Sequence, residues 1–249
     1  MLFSSAMSED RRRFLHALVV PSLLSLVIFL VFVLGLGMGW DLDRFGVYPR
    51  TLQGVPGILL HPFVHAGWGH LGDNLPTFFI LSTALYYFYH TQANRILLLI
   101  WVLTGIFLWC IGRESYHIGA SSIIYGLAFF LFWGGAITPS ISLTALSLVV
   151  VFWYGSMVWN MFPLMPHEMI SWEGHLSGAL AGSITAFVFR KSIVAQVGDK
   201  KNSLPDDDDD ELTRLAMKYN LEQDEMREEE EEHNNDNPDD SRDNQEVKE

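Results

Sequence analysis

The chain has one cysteine, Cys110, in 249 residues. A lone thiol forms no disulfide within the chain and sets no redox compartment. No Cys pair or Cys–His spacing offers a structural zinc site, and no His-Glu-x-x-His motif offers a catalytic one. No metal or other cofactor is therefore expected. Basic residues are also few, 16 Lys and Arg. They form no extended patch of the kind that holds a phosphate backbone, so nucleic-acid binding is set aside. Acidic residues are scarce over the first 205 positions, 9 against 11 basic, for a net charge of +2. The −13 of the whole chain comes from residues 206–249, with 20 acidic and 5 basic residues. The acidity describes a tail and says little about the folded body.

In place of charge the body has long apolar runs. Residues 14–36 are apolar except for His16, Ser22 and Ser25, long enough to cross a bilayer, which takes about 20 residues. The run is too long for the core of a signal peptide, and no small-residue cleavage site follows it. Arg11, Arg12 and Arg13 before it mark the cytoplasmic side. Pro21 falls inside it, where a kink is expected, and residues 1–10 read as loose. Further runs begin near residues 75, 96, 121, 141 and 172, and the last closes at Arg190 and Lys191. The predicted fold class is an all-α polytopic membrane protein, a bundle of six transmembrane helices with a short central fourth helix. That fourth run, 121–136, spans about 24 Å at about 1.5 Å per residue, short of the roughly 30 Å hydrocarbon core. It belongs inside the bundle, with its outer end below the surface and reached by water.

Six spans put both termini on the cytoplasmic side of the cell membrane. The expected organisation is a cytoplasmic N-terminus over 1–13, a membrane domain over 14–191 and an acidic cytoplasmic tail over 192–249. Like-charge blocks such as residues 206–211 and 228–232 repel, so the tail reads as largely disordered, with docking of a cytoplasmic partner as its lesser role. The loop 35–60 reads as an outer interfacial segment. The loop 159–172, with Pro163 and Pro166, reads as a movable outer cap.

Polar groups gather where the spans begin. His61, His65, His70 and Asn74 precede or open the second span, and His70 and Asn74, four apart, share a helical face. Such groups are costly in hydrocarbon unless partnered or lining a wet cavity. The fourth span opens with Gly119-Ala-Ser121-Ser122, and Tyr125 lies one turn after Ser121. The sixth opens with His175, followed on the same face by Gly178, Ala179 and Gly182. The Gly-x-x-x-Gly pair permits close contact with a neighbouring helix. If that neighbour is the short fourth helix, His175 meets Ser121 at a shared depth. Taken residue by residue, the pattern leaves open small-residue packing with interfacial histidines, serine–histidine chemistry, and an ion or proton path through a channel or transporter.

In this order and combination the residues resemble the rhomboid family of intramembrane serine proteases, over about residues 14–191. The resemblance implies a serine endopeptidase with Ser121 as nucleophile and His175 as base. It implies an oxyanion hole from His70, Asn74 and the Ser121 backbone N–H. Tyr125 is implied to stack near the histidine, with His65, Gly119 and Gly178 in supporting roles. The implied substrates are membrane proteins in the lipid bilayer, cut near the outer face where a transmembrane helix holds small or helix-breaking residues. No carboxylate is placed to orient His175, since Glu173 points elsewhere on the helix, so a dyad is expected. Two departures stand out: Ser122 occupies the position of a usual glycine, where its hydroxyl bears on oxyanion geometry, and the first loop lacks a Trp-Arg pair. Ser122 motivates a rival reading, a catalytically inactive rhomboid-like protein that binds membrane clients.

Overall fold

The computed structural model describes residues 2–163, 170–203 and Tyr219. Helix α1 runs Leu2–Met38 and carries Pro21 inside it. It starts well before the apolar run because residues 2–13 hold neither glycine nor proline and include good helix formers, among them Ala6, Met7, Glu9 and the three arginines. The connection that follows is built from 3-10 turns at Asp43–Phe45, Leu52–Gly54 and His61–Phe63 and a single turn, α2, at Gly57–Leu60. Then come α3 (Trp68–Phe88), α4 (Ala93–Ile111), α5 (Ser121–Ala136) and α6 (Ile141–Tyr154). A 3-10 stretch, Gly155–Met161, extends α6, and α7 runs Trp172–Ser203.

Among the described residues four segments are long and apolar enough to cross a membrane: Glu9–Met38, Ala93–Ile111, Ile141–Met161 and Trp172–Ala195. α3 has the length, 21 residues, but His70, Asp73 and Asn74 in its first turns lower its hydropathy. α5 has the apolarity but only 16 residues. The fold is thus an all-α, multi-span membrane bundle, with four clear spans rather than the six expected.

α5 is the centre of the bundle. Every residue from Ser122 to Ala128 is buried, as are Phe130, Leu131, Gly134 and Gly135. It packs on α3, α4 and α6, and its Ile123, Leu127 and Phe130 join Phe78, Leu85, Tyr89 and Ile100 in the main core. α7 comes closest. A Cβ on Gly178 would overlap the Ser122 carbonyl oxygen, and one on Gly182 the Gly126 carbonyl oxygen. The outer surface is apolar where the bundle faces outward, with Leu23 and Leu26 on α1, Phe152 and Trp153 on α6 and Val188 on α7 exposed. Lipid, as apolar as these side chains, is the solvent such faces require.

Residues 1–197 form one compact unit and residues 198–249 a second. Of the second, the last residues of α7 and Tyr219 are described. α7 continues past Lys191, since no proline interrupts the chain before Pro205. The acidic tail, and residues 164–169 of the expected cap loop, lie outside the described residues.

Candidate active site

The site forms where the starts of α3, α5 and α7 converge. Ser121 is the first residue of α5, and His175 sits in the first turn of α7. The Gly178 contact draws the two helices together, and Ser121 Oγ and His175 Nε2 stand 3.1 Å apart. His175 Nδ1 lies 3.0 Å from the Asn160 carbonyl oxygen. A carbonyl only accepts, so Nδ1 carries the proton and Nε2 is left to accept the Ser121 hydroxyl. That is the tautomer a histidine needs to take a proton from a serine. The ring is also fixed in plane, because Tyr125 stacks on it with centroids 4.2 Å apart and planes 9° from parallel. The Tyr125 hydroxyl donates to the Met157 carbonyl at 2.8 Å. The same aromatic side chain therefore ties down the turn that presents Asn160.

His70 and Asn74 face the backbone just before Ser121. Gly119 has φ +102°, and an added Cβ would lie 2.5 Å from His70 Nε2 and 3.4 Å from Asn74 Nδ2. Only glycine meets both demands, a left-handed backbone and no side chain. Asn74 Nδ2 is buried without a hydrogen-bond partner among the described residues. An unsatisfied buried donor costs about 1–3 kcal/mol, and here it faces Gly119, two residues before Ser121. His65 accepts from the Ala120 N–H at a long 3.5 Å, and its ring lies 4.9 Å from that of His70. So Ser121, His175, Tyr125, His70, Asn74, Gly119, His65 and Gly178 all come together at one end of α5. Among the described residues no three His, Cys, Asp or Glu side chains are grouped to hold a metal ion.

Ser122 points elsewhere. Its Oγ is 2.9 Å from His61 Nε2, away from His175. Glu173 is buried and pairs with Arg113 at 3.8 Å. His117, preceding the Gly119 turn, links the two helix starts. Its Nε2–H donates to the Arg113 carbonyl at 3.0 Å, and its Nδ1 accepts from the Ser171 hydroxyl at 2.7 Å. Ser171 Oγ in turn accepts the Gly174 N–H at 3.1 Å, satisfying an open donor in the first turn of α7. Burial holds the His117 imidazole below its ordinary pKa.

The Asn160 carbonyl and the Ser171–His117 bond escape a reading of the sequence. A backbone oxygen leaves no residue-type signal, and although a serine directly before a helix is the ordinary cap signal, its bond to His117 joins residues 54 positions apart.

Residues 53–192 match the Rhomboid domain family. An uncharacterized protein of Mycobacterium bovis and one of Mycobacterium tuberculosis are each 33% identical to this chain over 158 residues, 60% of this chain and 65% of theirs. An uncharacterized protein of Mycobacterium leprae is 28% identical over 156 residues, 59% of this chain and 61% of its own. The chain thus spans slightly less than two thirds of the length of these relatives.

Proposed function

The chain belongs to the Rhomboid family, and on that premise we propose that it is an intramembrane serine endopeptidase working through a Ser121–His175 dyad. The observation that carries the reading is the Ser121–His175 contact of 3.1 Å, with the histidine's other nitrogen held by Asn160. His175 Nε2 takes the proton of Ser121 Oγ as the oxygen attacks the scissile carbonyl. The protonated imidazole keeps its Nδ1–H on Asn160 and returns the Nε2 proton to the leaving amine. Water then repeats the sequence on the acyl-enzyme, releasing the new carboxylate and restoring the serine. The oxyanion that forms at each attack lies beside Gly119, where His70 Nε2–H, Asn74 Nδ2–H and the Ser121 backbone N–H donate to it. Tyr125 replaces a carboxylate as the group that orients the base. His65 and Gly178 hold the backbone and the helix approach on which this depends.

The family generally cleaves membrane-embedded helices. For this chain we propose substrates whose transmembrane helix unwinds near the outer face, where small or helix-breaking residues expose a peptide bond. On the same reading α3 and α5 complete a six-span membrane domain over 14–191, lying in the cell membrane. α3 enters with its polar end in the wet site, and α5 is short because its start is submerged. Residues 1–13 and the acidic tail, 192–249, then lie in the cytoplasm, with the tail available to a soluble partner. The test is cleavage. Purified protein in lipid, given a model transmembrane substrate, should release two fragments cut near the substrate's outer end. Ion flux through the protein without any cleavage would favour a channel instead.

A further inference from the structure

The chain holds a second serine–histidine pair that this reaction does not use. Ser122 Oγ is 2.9 Å from His61 Nε2, and His61 Nδ1 is 2.8 Å from the Gly57 carbonyl oxygen. The carbonyl again fixes the proton on Nδ1, so the Ser122 hydroxyl donates to Nε2. The arrangement repeats that of Ser121, His175 and Asn160, one residue along the helix and on another side of it. It is not a second catalytic centre, because His61 is 1% and Ser122 3% exposed and no peptide bond reaches them.

Its position gives it another use. α5 begins without a side-chain cap at Ala120, so its first turn lacks the usual restraint on fraying. Lateral ties take the place of a cap. The His61 carbonyl accepts the Gly119 N–H at 2.9 Å, and the His61 ring holds the Ser122 hydroxyl. The same residue therefore grips the backbone two positions before Ser121 and the side chain one position after it. At 3.6 residues per turn, neighbouring side chains point about 100° apart. Turning Ser122 toward His61 turns Ser121 toward His175.

We propose that His61 is a positioning residue for Ser121, acting through the Ser122 hydroxyl to fix the rotation of the first turn of α5. The inference rests on Ser121 being the nucleophile. Glycine at position 122 would carry no hydroxyl for this tie, so the serine here is a working part of the site and not a perturbation of its oxyanion hole.

The test compares wild type with Ser122→Ala, His61→Ala, His61→Gln and the double variant Ser122→Ala/His61→Ala. Three quantities are read: kcat and KM on a model transmembrane substrate, the rate at which a fluorophosphonate labels Ser121, and the melting temperature in detergent. Ser122→Ala and His61→Ala should each lower kcat and labelling by about tenfold, as loss of one hydrogen bond predicts, with KM within about twofold. The double variant should be no worse than the more impaired single. His61→Gln, whose side-chain oxygen accepts from Ser122, should recover most of the loss. If His61→Ala fails to insert, Ser122→Ala, which deletes one oxygen, still decides. Wild-type kcat and labelling in Ser122→Ala would overturn the proposal, as would a change confined to KM or to melting temperature. If wild type neither cleaves nor labels, the protease reading itself fails and takes this inference with it. Labelling of wild type together with an unaffected Ser122→Ala rejects the positioning role alone.

Discussion

At the scale of the residue, the proposed site has its protons and donors fixed by the fold. Backbone carbonyls set the protonated nitrogen of three histidines: Asn160 for His175, Gly57 for His61 and Arg113 for His117. On the proposed mechanism Asn74 is the donor held ready, buried and without a partner among the described residues. Asn74→Ala should therefore lower kcat by about 100-fold, in line with about 3 kcal/mol for one oxyanion donor, with little change in KM. An unchanged kcat in a steady-state assay would remove Asn74 from the oxyanion hole. His61 supplies a pH test. Burial pushes its pKa down to about 4, against about 6.5 for an unfolded imidazole. Between those values the unfolded chain binds a proton that the folded chain refuses, so stability falls as pH drops from about 6.5 to about 4. Thermal unfolding in detergent should show that decline, and His61→Gln should make it shallower without removing it, because burial lowers the His65 and His117 pKa values as well. An equal slope in the variant would mean that other groups carry the pH dependence.

At the scale of the element, the short α5 governs the arrangement. Its bounds were legible because an apolar run opens with Ser-Ser after Gly119 and ends before Thr138-Pro139. Its central position was legible because 16 residues suit burial in a bundle better than a full crossing. The meeting of α5 with α7 was legible in the Gly178 and Gly182 stripe. Other features were not. The start of α1 at Leu2 depends on local propensity in a polar stretch that the apolar run does not reveal. The 3-10 turn that presents Asn160 follows no apolar period, and the His61–Ser122 tie joins residues 61 positions apart. Close helix contact makes its own prediction. Gly178→Val places a side chain against the Ser122 carbonyl, so it should separate α7 from α5 and abolish cleavage, with a melting temperature several degrees lower. Normal activity in a stably inserted Gly178→Val protein would show that the helices need not approach so closely.

At the scale of the whole molecule, the charge split separates a nearly neutral membrane body from a strongly acidic tail. Removing residues 206–249 should leave a protein that inserts and cleaves a model substrate at close to the full-length rate. Normal insertion with loss of cleavage would make the tail regulatory. The family assignment rests on residues 53–192, which contain every residue of the proposed site. The central claim is that Ser121, and not its neighbour Ser122, is the nucleophile activated by His175. The most direct measurement is covalent labelling of the purified protein by a fluorophosphonate, with the modified residue located by mass spectrometry. Label is expected on Ser121 in wild type and none in Ser121→Ala or His175→Ala, with substrate cleavage lost in the same two variants while both remain folded in the membrane. Label on Ser122, or cleavage that survives Ser121→Ala, would contradict the claim.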